Sequence, residues 1–204
     1  MATISDKRLN YIKKLYYKDS LSMKEIGKHL GISWGAVNYF MKKHNLKRRD
    51  LKTASQYWFE NKKSSFKVLT HPSIKEKELM AVGAMLYWGE GYKTQKSQGV
   101  DFANSDPEMV IVFVNFLRTI YRIDESRLRA YLYCYLNQNP RQLMLFWSKV
   151  TNISLNQFTE PYIRKEFLEN GRKMKYGLIH IRYSDKKLLW SILDLVELYK
   201  EKFK

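Results

Sequence analysis

Residues 79–92 decide the fold of the second half of the chain and read Leu79-Met-Ala-Val-Gly83-Ala-Met-Leu-Tyr-Trp88-Gly89-Glu90-Gly91-Tyr92. The segment is mostly apolar and long enough for about three helical turns. Its small residues allow close approach of another helix, which predicts a packing helix rather than a solvated one. Gly91 is predicted to end the helix in the left-handed conformation, with Glu90 in the last turn. The helix dipole disfavours an anion there by about 0.3–1 kcal/mol unless a cation lies nearby.

This segment resembles the signature helix of the LAGLIDADG homing endonucleases, with Gly89-Glu90-Gly91 standing where that family has its Ala-Asp-Gly ending. In the family two such helices pack side by side, and the acidic residue at the end of each binds the divalent metals that cut DNA. The resemblance implies that Glu90 is a catalytic residue and a ligand of Mg²⁺ or another divalent metal. The alternative is an ordinary core helix that ends in a solvated glutamate.

Composition favours a protein of two domains that binds a polyanion. The chain has 204 residues, of which 45% are hydrophobic, so it can bury a core. Its formal net charge is +17, and residues 1–50 hold 12 Lys and Arg against 4 Asp and Glu. This surplus indicates nucleic acid ahead of a membrane, because no strongly basic amphipathic helix is obvious. A basic surface kept for solubility is the alternative.

Cysteine and histidine usage predicts neither a disulfide nor a structural metal. Cys134 is the only cysteine, and the four histidines lack the spacing of zinc ligands. The apolar run at residues 109–114 is far too short to span a bilayer, and no other run is long enough. We therefore expect a cytoplasmic protein in a reducing compartment, without membrane contact.

Residues 7–43 predict three short helices. Apolar residues recur at helical spacing over residues 7–17. Ser22 and Glu25 form a capping box for a helix over about 23–30, and Ser33 caps a third over 34–43.

Gly27, Gly31 and the apolar residues around them resemble a helix-turn-helix of the kind found in recombinase DNA-binding domains and many regulators. In that interpretation Gly27 lets the second and third helices cross closely, and Gly31 permits the turn between them. Asn38 is the best base reader, because its amide can pair with both edge atoms of adenine. Trp34 and Tyr39 either face the groove or pack against the first helix. The groove-facing residues implied are Ser33, Trp34, Gly35, Asn38, Tyr39 and Lys42.

The basic triplet Lys47-Arg48-Arg49 directly follows the third helix. It is either an arm that reaches along phosphates or into a minor groove, or a solvated charge run. Residues 51–77 are predicted to be a linker with a possible short helix near residues 54–60.

Residues 127–136 alternate apolar side chains with arginine and tyrosine, which predicts a strand with one apolar and one polar face. Such a polar face can bind nucleic acid, and a solvated face of an antiparallel sheet is the alternative. Strands near residues 162–167 and 176–183 repeat the pattern. A glycine-containing basic loop over residues 169–175 is either a phosphate contact or a hairpin end. The predicted DNA-binding side chains of this second domain are Lys93, Arg127, Arg129, Tyr131, Tyr133, Tyr135, Arg164, His180 and Arg182.

The predicted fold class is α+β. An N-terminal all-α helix-turn-helix domain over residues 1–50 is followed by the linker over 51–77. A LAGLIDADG-like α/β saddle with an antiparallel sheet then covers residues 78–204. Helices are expected from Pro107 to about Arg122, from Pro140 through Val150, and after Asp185. A single signature helix implies a homodimer through residues 79–91 on double-stranded DNA.

The function implied is site-specific binding of double-stranded DNA with metal-dependent cleavage of the homing type. The alternative is a transcription regulator that keeps the saddle and lacks the chemistry. A carboxylate at Glu90 favours the nuclease, whereas Trp88 and the single acidic residue favour the regulator. The family also uses a basic residue near the metals, for which Lys93, Arg127 and Arg164 are candidates. A recombination accessory protein or an RNA binder is a third possibility.

Overall fold

The chain is mixed α and β, and it divides into two compact units, Met1–Lys63 and Ser64–Lys204. The computed structural model describes residues 4–94, 96–164 and 174–204. The helices are α1 (Leu9–Lys13), α2 (Met23–Leu30), α3 (Trp34–Lys43), α4 (Leu51–Asn61), α5 (Ile74–Glu90), α6 (Pro107–Ile120), α7 (Pro140–Thr151) and α8 (Lys186–Lys202). The strands are β1 (Val100–Asn104), β2 (Leu128–Tyr135), β3 (Tyr162–Arg164) and β4 (Leu178–Tyr183).

The caps of α2 and α3 fix the chain reversal in the first unit. Ser22 and Glu25 make both hydrogen bonds of the capping box, and Ser33 Oγ accepts a bond of 3.2 Å from the Ala36 amide. Gly31 has φ 68°, the left-handed conformation that glycine adopts without strain. A Cβ on Gly27 would lie 2.8 Å from the Ile32 carbonyl oxygen, so a glycine is needed there. The helices predicted over residues 23–30 and 34–43 are confirmed.

The first helical region closes the core of this unit. α1 continues into a π-helical turn over Lys14–Lys18, and Ser20 follows with φ 56°. The buried apolar side chains of this core are Ile12, Leu15, Tyr16, Ile26, Val37, Phe40 and Met41.

Residues predicted as a linker divide between the two units. α4 is longer than predicted and belongs to the first unit, with Asp50 Oδ1 accepting a bond of 2.8 Å from the Thr53 amide. Residues 65–69 belong to the second unit, where the amides of Lys67 and Leu69 donate to the carbonyls at the end of α6. Ser65 Oγ lies 2.6 Å from Asp185 Oδ2. The polar composition of this segment led to the prediction of a linker. Composition does not show that the backbone of residues 65–69 hydrogen-bonds to residues far away in the sequence.

The second unit contains a four-stranded sheet in the order β1-β4-β2-β3 within the residues that are described. β4 pairs antiparallel with both β1 and β2, whereas β3 runs parallel to β2. The sheet is therefore mixed, and the prediction of an antiparallel sheet is wrong. Parallel neighbours need a crossover connection, and α7 provides it between β2 and β3. Period-two patterning shows which face a residue takes but not the direction of its strand.

One face of the sheet forms the core with α5, α6, α7 and α8. Phe102 and Phe113 stack with ring centroids 4.1 Å apart. A Cβ on Gly83 would lie 2.2 Å from the Phe116 ring, so this small residue serves the contact between α5 and α6. The buried sheet residues are Val100, Phe102, Leu128, Ala130, Leu132, Cys134, Ile179, Ile181 and Tyr183.

The ends of α5 differ from the prediction. The helix begins at Ile74 rather than 79, because Ser73 and Glu76 form a capping box. Gly91 has φ −79° and ψ 148°, so the left-handed ending predicted for it is wrong. Its amide bonds to the Tyr87 carbonyl, and the residue forms an isolated bridge with Phe102 that turns the chain towards the sheet.

Three other helix starts agree with the sequence. Asp106, Asn139 and Asp185 each accept a hydrogen bond from an amide in the first turn of α6, α7 or α8. β2 and β4 are each shorter than predicted. Residues 165–167 of the third predicted strand and residues 169–173 of the predicted basic loop lie outside the described residues.

Candidate nucleic-acid interface

The first candidate surface is the outward side of α3. Trp34 is 60% exposed and Tyr39 is 66% exposed, and neither belongs to the buried core that the first helix helps to form. Ser33 and Lys42 are exposed beside them, while Gly35 is half-buried. The opposite side of α3 buries Val37, Phe40 and Met41, which orients the helix. Two large aromatic side chains therefore remain on the surface of a helix that has a complete core.

Asn38 is half-buried on the same helix, and its side chain is already hydrogen-bonded within the protein. Its Oδ1 accepts a hydrogen bond of 3.1 Å from Arg48, whose side chain is exposed. The bond links the proposed base reader to the basic triplet, and a base that pairs with Asn38 must replace Arg48 or share the amide with it.

Arg49 turns away from the surface on which the triplet was predicted to act. Its guanidinium lies 4.2 Å from the Tyr16 ring centroid and 4.9 Å from that of Tyr57. It donates hydrogen bonds to three backbone carbonyls, those of Tyr16, Ser20 and Leu21. Arg49 is thus neither an arm nor a solvated charge, and it joins α4 to the loop before α2. Of the triplet, Lys47 and Arg48 remain exposed.

The second candidate surface is the sheet face opposite the core, which we call the Arg–Tyr face. Strand register aligns Asp101, Arg182 and Arg129 in one row across β1, β4 and β2, and His180 with Tyr131 in the next. Tyr133 and Tyr162 follow, and then Tyr135 and Arg164. The Arg–Tyr face comprises Asp101, Arg129, Tyr131, Tyr133, Tyr135, Tyr162, Arg164, His180 and Arg182.

Aromatic contacts hold the centre of the Arg–Tyr face. The ring centroid of Tyr133 lies 5.0 Å from that of Tyr131, 4.8 Å from that of His180 and 5.1 Å from that of Tyr162. The Arg182 guanidinium lies 4.9 Å over the Tyr131 ring. Each member is half-buried or exposed, so the face is accessible to a ligand.

Asp101 was not predicted as a site residue. Its Oδ1 lies 2.7 Å from His180 Nδ1, and its Oδ2 accepts a bond of 2.8 Å from Arg182 Nε. Burial raises the pKa of this carboxyl, but the hydrogen bonds and charges of His180 and Arg182 outweigh it and hold the pKa below its usual value. Alternation with buried Val100 and Phe102 places Asp101 on the polar side of β1. The sequence gives no sign of its partners, because they lie on another strand.

Two arginines that were predicted to bind DNA, Arg129 and Arg127, are hydrogen-bonded to backbone carbonyls at the edge of the Arg–Tyr face. Arg129 Nη1 donates to the carbonyls of Ser126 and Leu128 at 2.7 and 2.8 Å. Arg127 lies in the turn before β2, and its guanidinium donates to the Ser184 carbonyl at 2.7 Å. Arg164 is exposed on β3. The predicted strand included Arg127, but β2 begins at Leu128.

The third candidate is the end of α5. Glu90 is exposed in the last turn, and Lys93 Nζ donates to the carbonyls of Trp88 and Gly91 at 2.6 and 3.0 Å. Lys93 therefore supplies the cation that offsets the helix dipole. The Trp88 ring lies 5.3 Å from Lys200 Nζ on α8. A shallow groove beside Glu90 is lined by Ala81, Val82, Met85, Leu86, Gly89 and Met109.

Within the described part of the chain, Glu90 belongs to no cluster of acidic, histidine or cysteine side chains that could hold a metal ion. Across residues 4–94, 96–164 and 174–204, no three His, Cys, Asp or Glu side chains form a group that could hold a metal ion. A carboxylate oxygen suits Mg²⁺, but a complete ligand set needs donors beyond Glu90. The second copy implied by the resemblance would add its own Glu90.

Comparison with known proteins adds no relative to these observations. No protein-family model, curated protein or solved structure matches the chain. None of the helices in the described part of the chain is both long enough and apolar enough to cross a membrane.

Proposed function

We propose that this protein binds double-stranded DNA at specific sites through α3 and the Arg–Tyr face. The observation that carries the proposal is the exposure of Trp34 and Tyr39 on α3. Burying such side chains against a partner is favourable by about 1.5–3 kcal/mol each, and the core of the first unit does not use them. The net charge of +17 favours a polyanion as that partner.

In this proposal α2 and α3 act as a helix-turn-helix. The close approach at Gly27 and the left-handed turn at Gly31 support it, because both shorten the connection between the helices. α3 is the recognition helix, with Ser33 at its N-terminus and Asn38 one turn further on. Lys42, Lys47 and Arg48 contact phosphates and fix the register on the duplex.

The Arg–Tyr face acts as the saddle of the second unit. Its arginines and His180 offer donors to phosphates and base edges, and its tyrosines offer hydroxyls and apolar area. The buried opposite side supplies a rigid support. The localisation that we propose for this function is cytoplasmic.

A binding measurement tests the proposal. Duplexes recovered from a randomised pool by the full chain are titrated with the wild type, Trp34→Ala and Tyr39→Ala at several salt concentrations. We expect each variant to lose about tenfold in affinity, and log K to fall by about 0.9 per log unit of salt for each phosphate contacted. Trp58→Ala is the matched control, because Trp58 is 62% exposed on α4 of the same unit. Failure to enrich any duplex, a flat salt response, or stronger competition by structured RNA would contradict the proposal.

A second candidate activity is cleavage of that DNA. The specific observation is that Glu90 is exposed at the end of an apolar groove that α5 lines. We propose that a second copy of the chain covers this groove. In a homodimer through residues 79–91, the Glu90 carboxylates of two copies would hold Mg²⁺. When bound, that ion would supply positive charge for the attacking and leaving oxygens at a phosphate. Lys93 fixes the helix end that carries Glu90.

Cleavage is tested with DNA from the gene's own locus and Mg²⁺. We expect the wild type to cut and Glu90→Gln to bind without cutting, while Glu201→Gln on the exposed end of α8 cuts normally. Binding without cleavage by every variant would leave the regulator as the function. Val82→Lys tests the dimer by sedimentation, because Val82 is 48% exposed in the groove. A mass equal to that of the wild type would contradict the interface.

A further inference from the structure

The carboxylate of Asp101 lies in the Arg–Tyr face, where it opposes the binding of a polyanion. It is partly exposed, and its side chain retains 23% of its accessible surface. A carboxylate there repels phosphates, so a surface that served only to attract DNA would do better without it. Its two hydrogen bonds suggest another role, because they act on side chains that can read a base.

Asp101 restrains Arg182 at one edge of the guanidinium. Asp101 Oδ2 accepts a hydrogen bond of 2.8 Å from Arg182 Nε, and the guanidinium lies over the Tyr131 ring. No other described residue hydrogen-bonds to this guanidinium. Among the described residues, its two terminal nitrogens therefore keep a pair of donors without a partner, in a fixed plane. A guanidinium that is already oriented loses less entropy when it binds.

His180 is restrained by the same carboxylate. Asp101 Oδ1 holds Nδ1 at 2.7 Å, and the Tyr133 ring packs against the imidazole. The row of aligned residues places Tyr131 beside His180 and Arg129 beside Arg182. One carboxylate thus orders two neighbouring donors on β4.

We propose that Asp101 is a positioning residue for base recognition and that Arg182 is the specificity-determining residue that it positions. This proposal rests on the DNA-binding function proposed above. The paired terminal nitrogens of Arg182 match the two acceptors of guanine, O6 and N7, in the major groove. The chemical class selected is a G·C base pair at one position of the site.

Two effects of opposite sign separate this role from simple charge. Removing the carboxylate lowers repulsion, so Asp101→Asn raises affinity for random duplex. If Asp101 positions Arg182, the same variant lowers discrimination for guanine at one position by roughly tenfold or more, the size of a lost bidentate contact. If Asp101 had only a structural role, Asp101→Asn would lower the affinity for random duplex and the affinity for the selected duplex together.

The experiment compares duplex selection by the full-length wild type, Asp101→Asn and Arg182→Lys. Arg182→Lys keeps the charge and loses the paired donors. Arg141→Lys on α7 and Glu201→Gln on α8 are matched controls, because both side chains are exposed outside the Arg–Tyr face. We expect both test variants to relax the same guanine position and both controls to retain it.

The outcomes distinguish the two proposals. If the wild type enriches no sequence, the DNA-binding function fails. If it enriches a sequence and Arg182→Lys retains every preference, the present inference is overturned and DNA binding stands. If Asp101→Asn loses its native circular dichroism, Arg182→Lys still decides whether Arg182 reads the base. Relaxation by Arg182→Lys with an unchanged, folded Asp101→Asn would overturn the role of Asp101.

Discussion

Arg49 in the first unit and Arg182 in the second both lie against tyrosine rings, but their polar partners differ. Arg49 lies close to two rings and donates to three backbone carbonyls. Arg182 lies over one ring and is bound by one carboxylate through Nε. The donors of Arg49 are used within the fold, whereas no described residue bonds to the terminal nitrogens of Arg182, to which we assign the base contact proposed above. The difference teaches that the partners of an arginine, rather than its charge, show whether it holds the fold or binds a ligand.

The largest effect is expected at Arg49. Arg49→Ala removes a charged donor from three carbonyls and a cation from two rings, and we expect it to lower the free energy of unfolding by about 2–4 kcal/mol. Amide exchange at the buried residues Ile26 and Val37, measured in the full chain, reports this loss. Arg48→Ala is the control, because the Arg48 side chain is exposed. Equal protection in both variants would show that Arg49 does not hold the unit together.

Arg182→Ala should show the reverse pattern. Its ion pair with Asp101 is 42% exposed on the arginine side, so its loss costs at most about 1 kcal/mol of stability. Loss of the bidentate contact proposed above should cost about 1–3 kcal/mol in binding to a selected duplex. Thermal unfolding and titration of the same preparation measure both quantities. If Arg182→Ala lost more free energy of unfolding than free energy of binding, Arg182 would be a residue that stabilises the fold, as Arg49 is.

The stability contributions of Asp101 and Arg49 should also differ in their dependence on acidic pH. The folded-state pKa of Asp101 lies below its usual value, so its stabilising effect is complete above the unfolded pKa of about 3.9. The effect is lost as the pH falls from there through the lower, folded-state pKa. The stability difference between wild type and Asp101→Asn should therefore shrink in this window in urea titrations.

The carbonyl acceptors of Arg49 do not titrate. The stability difference between wild type and Arg49→Ala should change little over the same acid window. Glu25 makes a small exception, because its pKa is lowered mainly by hydrogen bonds with Ser22 and least by the charge of Arg49. Parallel pH curves for the Arg49 and Asp101 variants would remove the distinction between the two sites.

The smallest effect is expected at Lys47, two residues from Arg49 in sequence. Lys47→Ala should leave stability unchanged and lower the slope of log K against log salt by about 0.9, the value for one lost phosphate contact. Titrations at four salt concentrations give the slope. A slope equal to that of the wild type would remove Lys47 from the interface.

Local signals in the sequence predicted much of the secondary structure. Ser22, Ser33 and Asp185 each cap the helix that the sequence assigns to them, because a cap depends on residues within one turn. Period-two alternation correctly divided β2 and β4 into a buried and a polar side. These features depend on neighbours that the sequence itself places.

Features that depend on distant residues were not predictable in the same way. The parallel direction of β3 depends on the path of α7, and the ending at Gly91 depends on its bridge with Phe102. Arg49 was predicted with Lys47 and Arg48 because a run of charge does not show which side chain turns inward. Asp101 was missed because His180 and Arg182 come about eighty residues later.

The attachment of residues 65–69 has a practical consequence for dividing this protein. The Tyr183 hydroxyl and the Asp185 carboxylate both bond to Ser65, and the carbonyls that end α6 bond to Lys67 and Leu69. A fragment cut at residue 78 would remove these partners from the end of β4, the start of α8 and the end of α6. Separate expression of the second unit should therefore begin at Ser64, although nothing in the composition of that stretch recommends the choice.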